Sequence, residues 1–257
     1  MEKYKNHIIA SLYCLIISGL IWLTVAPNNG GTILVGGGDF PRQAVEWAYE
    51  HSTGGYFLVI TCNYINEQSW AKRLDGYEYK SIILHTRNDS YLEANIERVK
   101  RAAVIIIDGG NQWDYVSLLK GTPLNKAINQ AIENKTPIAG ISAGCALLGE
   151  FYFSAKDGTI CSEDIYNKPP LNLQSNFFNI AQLRNIFVET HYVERDREGR
   201  LLAFLSELSL VYKKEITGIG VDRSTALCIN TNGKRTIYGE GQIYQINFKK
   251  TLDKPRP

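Results

Sequence analysis

A doubly wound α/β domain built on a mostly parallel sheet is the fold class that the sequence predicts, and three features predict it. Short apolar runs alternate with segments of helical spacing, the pattern of βαβ units. Several runs are continuously apolar rather than alternating, as in residues 56–61 (YFLVIT), 103–107 (AVIII) and 137–141 (PIAGI). Strands of that kind are covered on both faces, which is the habit of parallel sheets. Glycine clusters follow several of the runs. In such sheets the carboxyl ends of the strands, beside the switch point, are where active sites gather.

Taken in order, residues 1–7 carry Lys3 and Lys5, and residues 8–26 carry no charge. An apolar run of this kind approaches the about 20 residues of a bilayer span. A basic flank before an apolar run also marks a secretory signal. The run is long for a cleaved signal, and Pro27 after Thr24-Val25-Ala26 is a poor cleavage context, so an uncleaved signal-anchor is preferred over a cleaved signal peptide. Residues 1–27 therefore stand outside the fold, and residues 28–257 are read as one α/β domain. The basic flank places that domain on the extracytoplasmic side, periplasmic or secreted.

Residues 27–31 (PNNGG) form a linker, and residues 32–35 a strand that ends in Gly36-Gly37-Gly38. Residues 41–50 have helical spacing through Ala44, Val45, Trp47 and Ala48, broken by Gly54-Gly55. Residues 56–61 and 81–85 (SIILH) are the next strands. Residues 91–101 form a helix with Leu92, Ile96 and Val99 on one face, and residues 103–107 a strand stopped by Asp108-Gly109-Gly110. A helix over 124–134, a strand over 137–141 and a helix over 143–151 follow. Residues 185–188 form another short strand. Residues 236–248 (TIYGEGQIYQINF) alternate more and read as a terminal hairpin at the sheet edge, with 249–257 a frayed tail.

Composition narrows the function classes. Hydrophobic residues make up 44% and charged residues 21%, as in an ordinary globular domain. With 28 basic and 26 acidic residues the net charge is +2, so no global attraction to nucleic acid exists. None of the five cysteines has C-x-x-C spacing, which argues against a zinc ribbon or a thioredoxin-type site. The four histidines, at 7, 51, 85 and 191, are scattered, so no metal or cofactor is implied. Cys14 lies in the apolar run, and the other four cysteines would pair only in an oxidising compartment.

Gly140-Ile141-Ser142-Ala143-Gly144 fits the G-x-S-x-G nucleophile elbow, with a strand before it and a helix after it. The serine must sit on a tight turn, and the flanking glycines let the backbone approach itself without Cβ clashes. The helix start presents N–H groups to developing negative charge, and Ala143 is the first oxyanion donor. A serine helix cap with two turn glycines is the plain alternative. Asp108-Gly109-Gly110-Asn111-Gln112 follows a strand, so Gly110 N–H is a second donor and Gln112 a substrate contact.

A serine hydroxyl near neutral pH needs a base. His191 is the one histidine beyond the elbow, in the Ser-then-His order of such folds. His7 flanks the apolar run and His51 ends a helix, which makes them weaker candidates, while His85 ends a strand and stays open. Arg195, Arg197 and Arg200 follow His191, and arginines bind carboxylates bidentately. A solvated turn in which Glu194, Asp196 and Glu198 pair those arginines is the plain alternative.

Together, ILVGGG, DGGNQ, GISAG, ETHYVERDREGRL and GIGVDRSTAL resemble the cyanophycinase family of serine peptidases, which includes the aspartyl dipeptidases. The resemblance runs from residue 32 to about 245. It implies a class I glutamine-amidotransferase-like α/β fold, Ser142 as nucleophile, His191 as base, Gln112 as the loop glutamine, and Arg195, Arg197 and Arg200 as the arginines of the histidine segment. It also implies substrates with aspartyl links. Two positions depart from the family pattern. Arg223 stands after Asp222 where an acid is common, which works against a substrate arginine. Glu189 stands two before the histidine in place of Asp. Residues two apart on a strand share a face, so Glu189 is the first choice to orient His191, Asp222 the second and Glu163 the third. Asp222 is also read as lining the substrate site.

The expected function is hydrolysis of an amide in acidic or Asp-containing peptides through an acyl-enzyme. An inactive exported relative acting as a binding protein is the alternative. A cysteine-dependent glutaminase is disfavoured, because Cys145 lies three residues past Ser142. The expected partners are a peptide or small-molecule substrate, the membrane through residues 8–26 if uncleaved, and no nucleic acid, with a homodimer as a possible assembly.

Overall fold

The computed structural model describes residues 30–249. The apolar run 8–26, with Cys14, together with His7 and residues 250–257 of the tail, lies outside them. Strand β1 (Thr32–Val35) is followed by helix α1 (Arg42–Glu50), β2 (Tyr56–Thr61), α2 (Glu67–Arg73), β3 (Tyr79–Ile83), α3 (Glu93–Lys100), β4 (Ala102–Ile107), α4 (Gln112–Leu119), α5 (Pro123–Glu133) and β5 (Ile138–Ile141). The chain continues through α6 (Ala143–Ala146), β6 (Phe151–Phe153), β7 (Leu173–Ser175), β8 (Ile186–Thr190), α7 (Glu198–Tyr212), β9 (Ile216–Val221), β10 (Thr225–Ile229), β11 (Arg235–Gly239) and β12 (Ile243–Phe248).

Seven strands form one sheet in the order β11-β10-β1-β5-β4-β2-β3. Neighbours from β1 to β3 are parallel, and β10 and β11 extend the sheet antiparallel. Every residue of β2 and β4 is buried, as continuous apolar runs require when helices cover both faces. Alternate residues serve opposite cores. Val104 and Ile106 pack with Val45 and Trp47 of α1 and Trp70 of α2. Ile105 and Ile107 pack with Tyr115 of α4 and with Leu124 and Ile128 of α5. Side-chain caps fix the starts of α2 and α5: the Asn66 and Thr122 oxygens accept from Ser69 and Asn125 N–H, and Pro123 opens α5 without an N–H to lose.

The remaining five strands form a second sheet, β12-β9-β8-β6-β7, where one doubly wound sheet was expected. Ile186 and Val188 of β8 join the core beneath α4 and α5, while Phe187 faces Leu201, Phe204 and Leu205 of α7. The second sheet thus lies against the first on one side and carries its own helix on the other.

Three predicted elements come out differently. The helix expected over 143–151 stops at Ala146, because Phe151 pairs with Phe187 and Ser175 in the second sheet. Strand β3 begins two residues earlier than expected and ends at Ile83. His85 and Thr86 N–H instead donate to the Asp89 carboxylate at 2.9 and 2.7 Å, which starts a 3-10 turn over Arg87–Tyr91. The predicted terminal hairpin does not form: β11 pairs with β10 in the first sheet and β12 with β9 in the second. The chain crosses from one sheet to the other between β9 and β10 and recrosses between β11 and β12. Each late strand follows the partner that preceded it. Among the described residues no helix is long and apolar enough to cross a membrane.

The elbow depends on backbone contact between α6 and its neighbours. A methyl group on Gly144 would overlap the Ile107 carbonyl, and one on Gly140 would lie 2.6 Å from Cys145 N. Alanine is ordinarily the better helix former by ~1 kcal/mol. Gly144→Ala is nevertheless expected to lower stability by ~1–3 kcal/mol, the cost of overpacking against rigid backbone. The urea midpoint, at unchanged slope, checks it.

Candidate active site

Three adjacent parallel strands end side by side. Strand β1 delivers Gly36-Gly37-Gly38, β5 delivers Ser142, and β4 delivers Asp108-Gly109-Gly110. Ser142 sits at φ 50°, ψ −114°, a conformation that costs ~1–3 kcal/mol for a residue with a Cβ. The neighbours over-determine it. Ser142 N–H donates to Val35 O at 3.0 Å, and Ser142 O accepts from Ala146 N–H at 2.9 Å. Ala143 opens α6, so its N–H has no acceptor within the helix. A Cβ on Gly109 would lie 3.6 Å from Ser142 Cβ, which brings the 108–110 loop against the serine. Gly110 has φ 144°, and Asn63 Nδ2 occupies the space its side chain would fill.

His191 follows the last residue of β8 and turns sharply, at φ 50°. Its N–H donates to Gly36 O at 2.8 Å, which ties the second sheet to the glycine loop of the first. The Nε2 atom lies 2.8 Å from Ser142 Oγ, and Nδ1 hydrogen-bonds the Glu194 carboxylate. A methyl group on Gly37 would overlap the imidazole, so the loop lies flat against the ring. Burial holds the His191 proton affinity below the ordinary histidine value of 6.5. The bond to Glu194 pulls the other way, and the charges of Arg195 and Arg197 lower it further. The imidazole is therefore neutral near pH 7. With Nδ1–H donated to Glu194, Nε2 is left to accept a proton from Ser142 (tautomer assigned from these partners).

Glu194, not Glu189, is the acid on His191. The face-sharing rule fails because β8 ends at Thr190 and the positive φ of His191 swings the next side chain away from the strand's alternation. Glu189 is 1% exposed and points under α7 instead. Its Oε2 accepts from Arg200 Nε at 2.8 Å, and its Oε1 from Arg200 Nη2 at 2.7 Å and Arg197 Nη1 at 3.1 Å. Arg200 is 2% exposed, and its Nη1 also reaches Ile160 O at 2.7 Å. Arg197 and Arg200 are thus committed to a buried ion pair and are not free to hold a substrate, contrary to the expectation from sequence. Arg195 is exposed at the mouth and makes no ion pair among the described residues.

Asp222 does not reach His191 either. Its two oxygens accept from Val193 N–H at 3.2 Å and Gln242 N–H at 3.0 Å, so it braces the turn that carries Glu194. Glu163 is exposed in a separate 3-10 turn (Glu163–Asn167) and forms none of the bonds to His191. Gln112 is half-buried in the first turn of α4, directly after Asn111, whose side chain caps that helix by accepting from Trp113 N–H. His51 stacks on Trp47 and bonds its carbonyl, and His85 lies just past the end of edge strand β3, away from β5. Cys145 is fully buried, and desolvation pushes its thiol far up, which suits packing rather than attack. The signal for Glu194 was an acid three residues after the histidine in a segment that turns back on itself: Arg195 N–H donates to His191 O at 3.2 Å.

A hydroxyl, an imidazole and a carboxylate in one hydrogen-bonded chain, beside two glycine-rich backbone segments, can run acyl transfer. The profile of peptidase family S51 matches residues 63–237. A cyanophycinase of Synechococcus elongatus is 26% identical over 167 residues, covering 65% of this chain and 48% of that protein. A peptidase E of Nostoc sp. (strain PCC 7120 / SAG 25.82 / UTEX 2576) is 28% identical over 198 residues, 75% of this chain and 74% of that one. The chain thus spans about half the length of the cyanophycinases it matches. In fold, a solved peptidase from an acI-B1 Actinobacterium superposes with a TM-score of 0.64 at 19% identity, covering 86% of this chain and 94% of that one.

An NMR titration checks the electrostatics of His191. Its midpoint is expected below 6.5, the ordinary histidine value. Glu194→Gln removes the group that raises it and lowers the midpoint further; Arg195→Gln removes a group that lowers it and raises the midpoint. Shifts of the opposite signs would contradict the assigned contacts.

Proposed function

The chain belongs to peptidase family S51, and on that premise we propose that it is a serine peptidase that cleaves an amide bond in acidic or Asp-containing peptides through an acyl-enzyme. The observation that carries this reading is the hydrogen-bonded chain from Ser142 Oγ through His191 to Glu194. His191 takes the hydroxyl proton as Ser142 attacks the carbonyl carbon. Glu194 keeps Nδ1 protonated and stabilises the imidazolium that forms. The N–H groups of Ala143 and Gly110 hold the oxyanion. Collapse of the intermediate breaks the C–N bond, and the proton on Nε2 goes to the leaving nitrogen. Water, deprotonated by the same Nε2, then releases the acyl group and restores Ser142.

Arg195, exposed beside the histidine turn, supports recognition of a substrate carboxylate, with Gln112 as a further polar contact. Arg223 favours a substrate whose leaving residue carries no positive charge. The basic start and apolar run 8–26 support export of the domain.

Ser142→Ala is expected to cut turnover by at least about 10⁴-fold with the fold intact, as for loss of a triad nucleophile. Circular dichroism and a dipeptide-library hydrolysis assay check both halves. Undiminished activity in that variant would remove the nucleophile assignment. A serine-directed covalent probe that fails to label Ser142 in folded wild-type protein would favour an inactive binding protein instead. Among β-linked substrates, β-Asp-Arg is expected to be cleaved more slowly than β-Asp-Ala; equal kcat/KM for the two would defeat the charge argument.

A further inference from the structure

The leaving-group side of the site can be located from the proton's path. His191 Nε2 must hand its proton to the departing nitrogen, so the residue attached to that nitrogen begins beside the imidazole. The backbone against the imidazole is Gly37, and the next residue is Gly38. Two guanidinium groups meet at Gly38. Arg73 Nη2 donates to Gly38 O at 3.1 Å. The Arg223 side chain also lies against Gly38, with Cγ and Nε 2.7 and 2.8 Å from where a Cβ would stand. Gly38 has φ 70° and no side chain, so the stem of Arg223 rests on bare backbone.

The turn that carries Arg223 is clamped to the glycine loop. Gly36 N–H donates to Thr225 O at 3.1 Å, Ser224 N–H to Gly37 O at 2.7 Å, and Asp39 N–H to Ser224 Oγ at 3.2 Å. Arg223 is exposed, and among the described residues neither it nor Arg73 makes an ion pair. Arg73 stacks on Trp70 and is balanced in part, at longer range, by the half-buried Asp108. Two like charges held at one glycine, neither in an ion pair among the described residues, form a receptor for an anion.

We infer that Arg223 and Arg73 form a subsite for a carboxylate on the leaving-group residue of the peptide. This rests on the peptidase reading for the position of the leaving group, and it adds a selectivity that the Ser142–His191–Glu194 geometry alone does not carry. The carboxylate is either the terminal α-carboxylate or an acidic side chain; both present the same planar pair of oxygens.

Kinetics on the full chain test it with Asp-Glu, Asp-Gln and Asp-Lys, each as free acid and C-terminal amide. The wild type is expected to prefer Asp-Glu, and the amide arm separates the α-carboxylate from the side chain. Arg223→Glu is expected to lower kcat/KM for Asp-Glu by about tenfold and to raise it for Asp-Lys, the response of a charge at a recognition site. In Arg223→Glu the ratio of Asp-Glu to Asp-Lys falls if the side chain is bound, and the ratio of free acid to amide falls if the α-carboxylate is; neither ratio changing would overturn the subsite while leaving the peptidase reading in place. If the wild type cleaves none of the peptides, the peptidase reading fails, and calorimetric titration decides the subsite separately. Asp-Glu is expected to bind the Ser142→Ala chain and to bind Ser142→Ala/Arg223→Glu about tenfold more weakly. Equal affinity, or no binding to either, would overturn it.

Discussion

One backbone hydrogen bond joins the two halves of the candidate site. His191 N–H donates to Gly36 O across 2.8 Å, from the end of a strand in the second sheet to the glycine loop of the first. Ser142 belongs to the first sheet and His191 to the second, so no local rule brings their side chains together. Parallel pairing of β8 with β9 sets the height of His191, and β9 leads directly into the turn that also clamps the glycine loop. Gly36 has no room for a side chain because the Asp222 carbonyl lies against it. The absence of a Cβ at residues 36 to 38 is what allows histidine, arginine and backbone to approach one loop from three directions.

Beneath that junction sits the Glu189–Arg200 pair. Burying two charges costs several kcal/mol per ion, which excellent geometry and further hydrogen bonds must offset. Here the geometry is bidentate, Arg200 Nη1 finds Ile160 O, and the neighbouring Arg197 Nη1 bonds both Glu189 Oε1 and Thr190 O. The Phe153 and Phe204 rings flank the guanidinium at 5.6 and 5.7 Å. The pair fixes the end of β8 to the start of α7, and the turn between them carries His191, Glu194 and Arg195. A segment dense in charge therefore divides its labour: the outer charges face solvent and the site, and the inner ones anchor the turn.

Part of the positive-φ backbone among the described residues lies at the same place. Ser142, His191, Asp196 and Ser224 all have φ between 45° and 52°, and none is a glycine. Such conformations persist where surrounding bonds over-determine them. Each of these residues lies in a turn that leaves or enters a strand beside the site, so the strain aims side chains where an unbent strand would not.

Sequence alone determined what depends on neighbours along the chain. The elbow was legible because strand, tight turn and helix start follow one another within a few residues, and the parallel sheet because burial on both faces forces unbroken apolar runs such as YFLVIT and AAVIII. His191 was legible by elimination and resemblance. Tertiary structure decided the rest. Glu189 and His191 would share a face on a continuous strand, but the strand ends between them, and Glu194 becomes the partner. Arg197 and Arg200 look like surface charges in a polar segment, but α7 folds them over Glu189. Strands β11 and β12 look like one hairpin, but each pairs with a strand of a different sheet. The physical reason is common to all three: spacing fixes which way a side chain points within one element, whereas its partner is chosen by how elements distant in sequence pack.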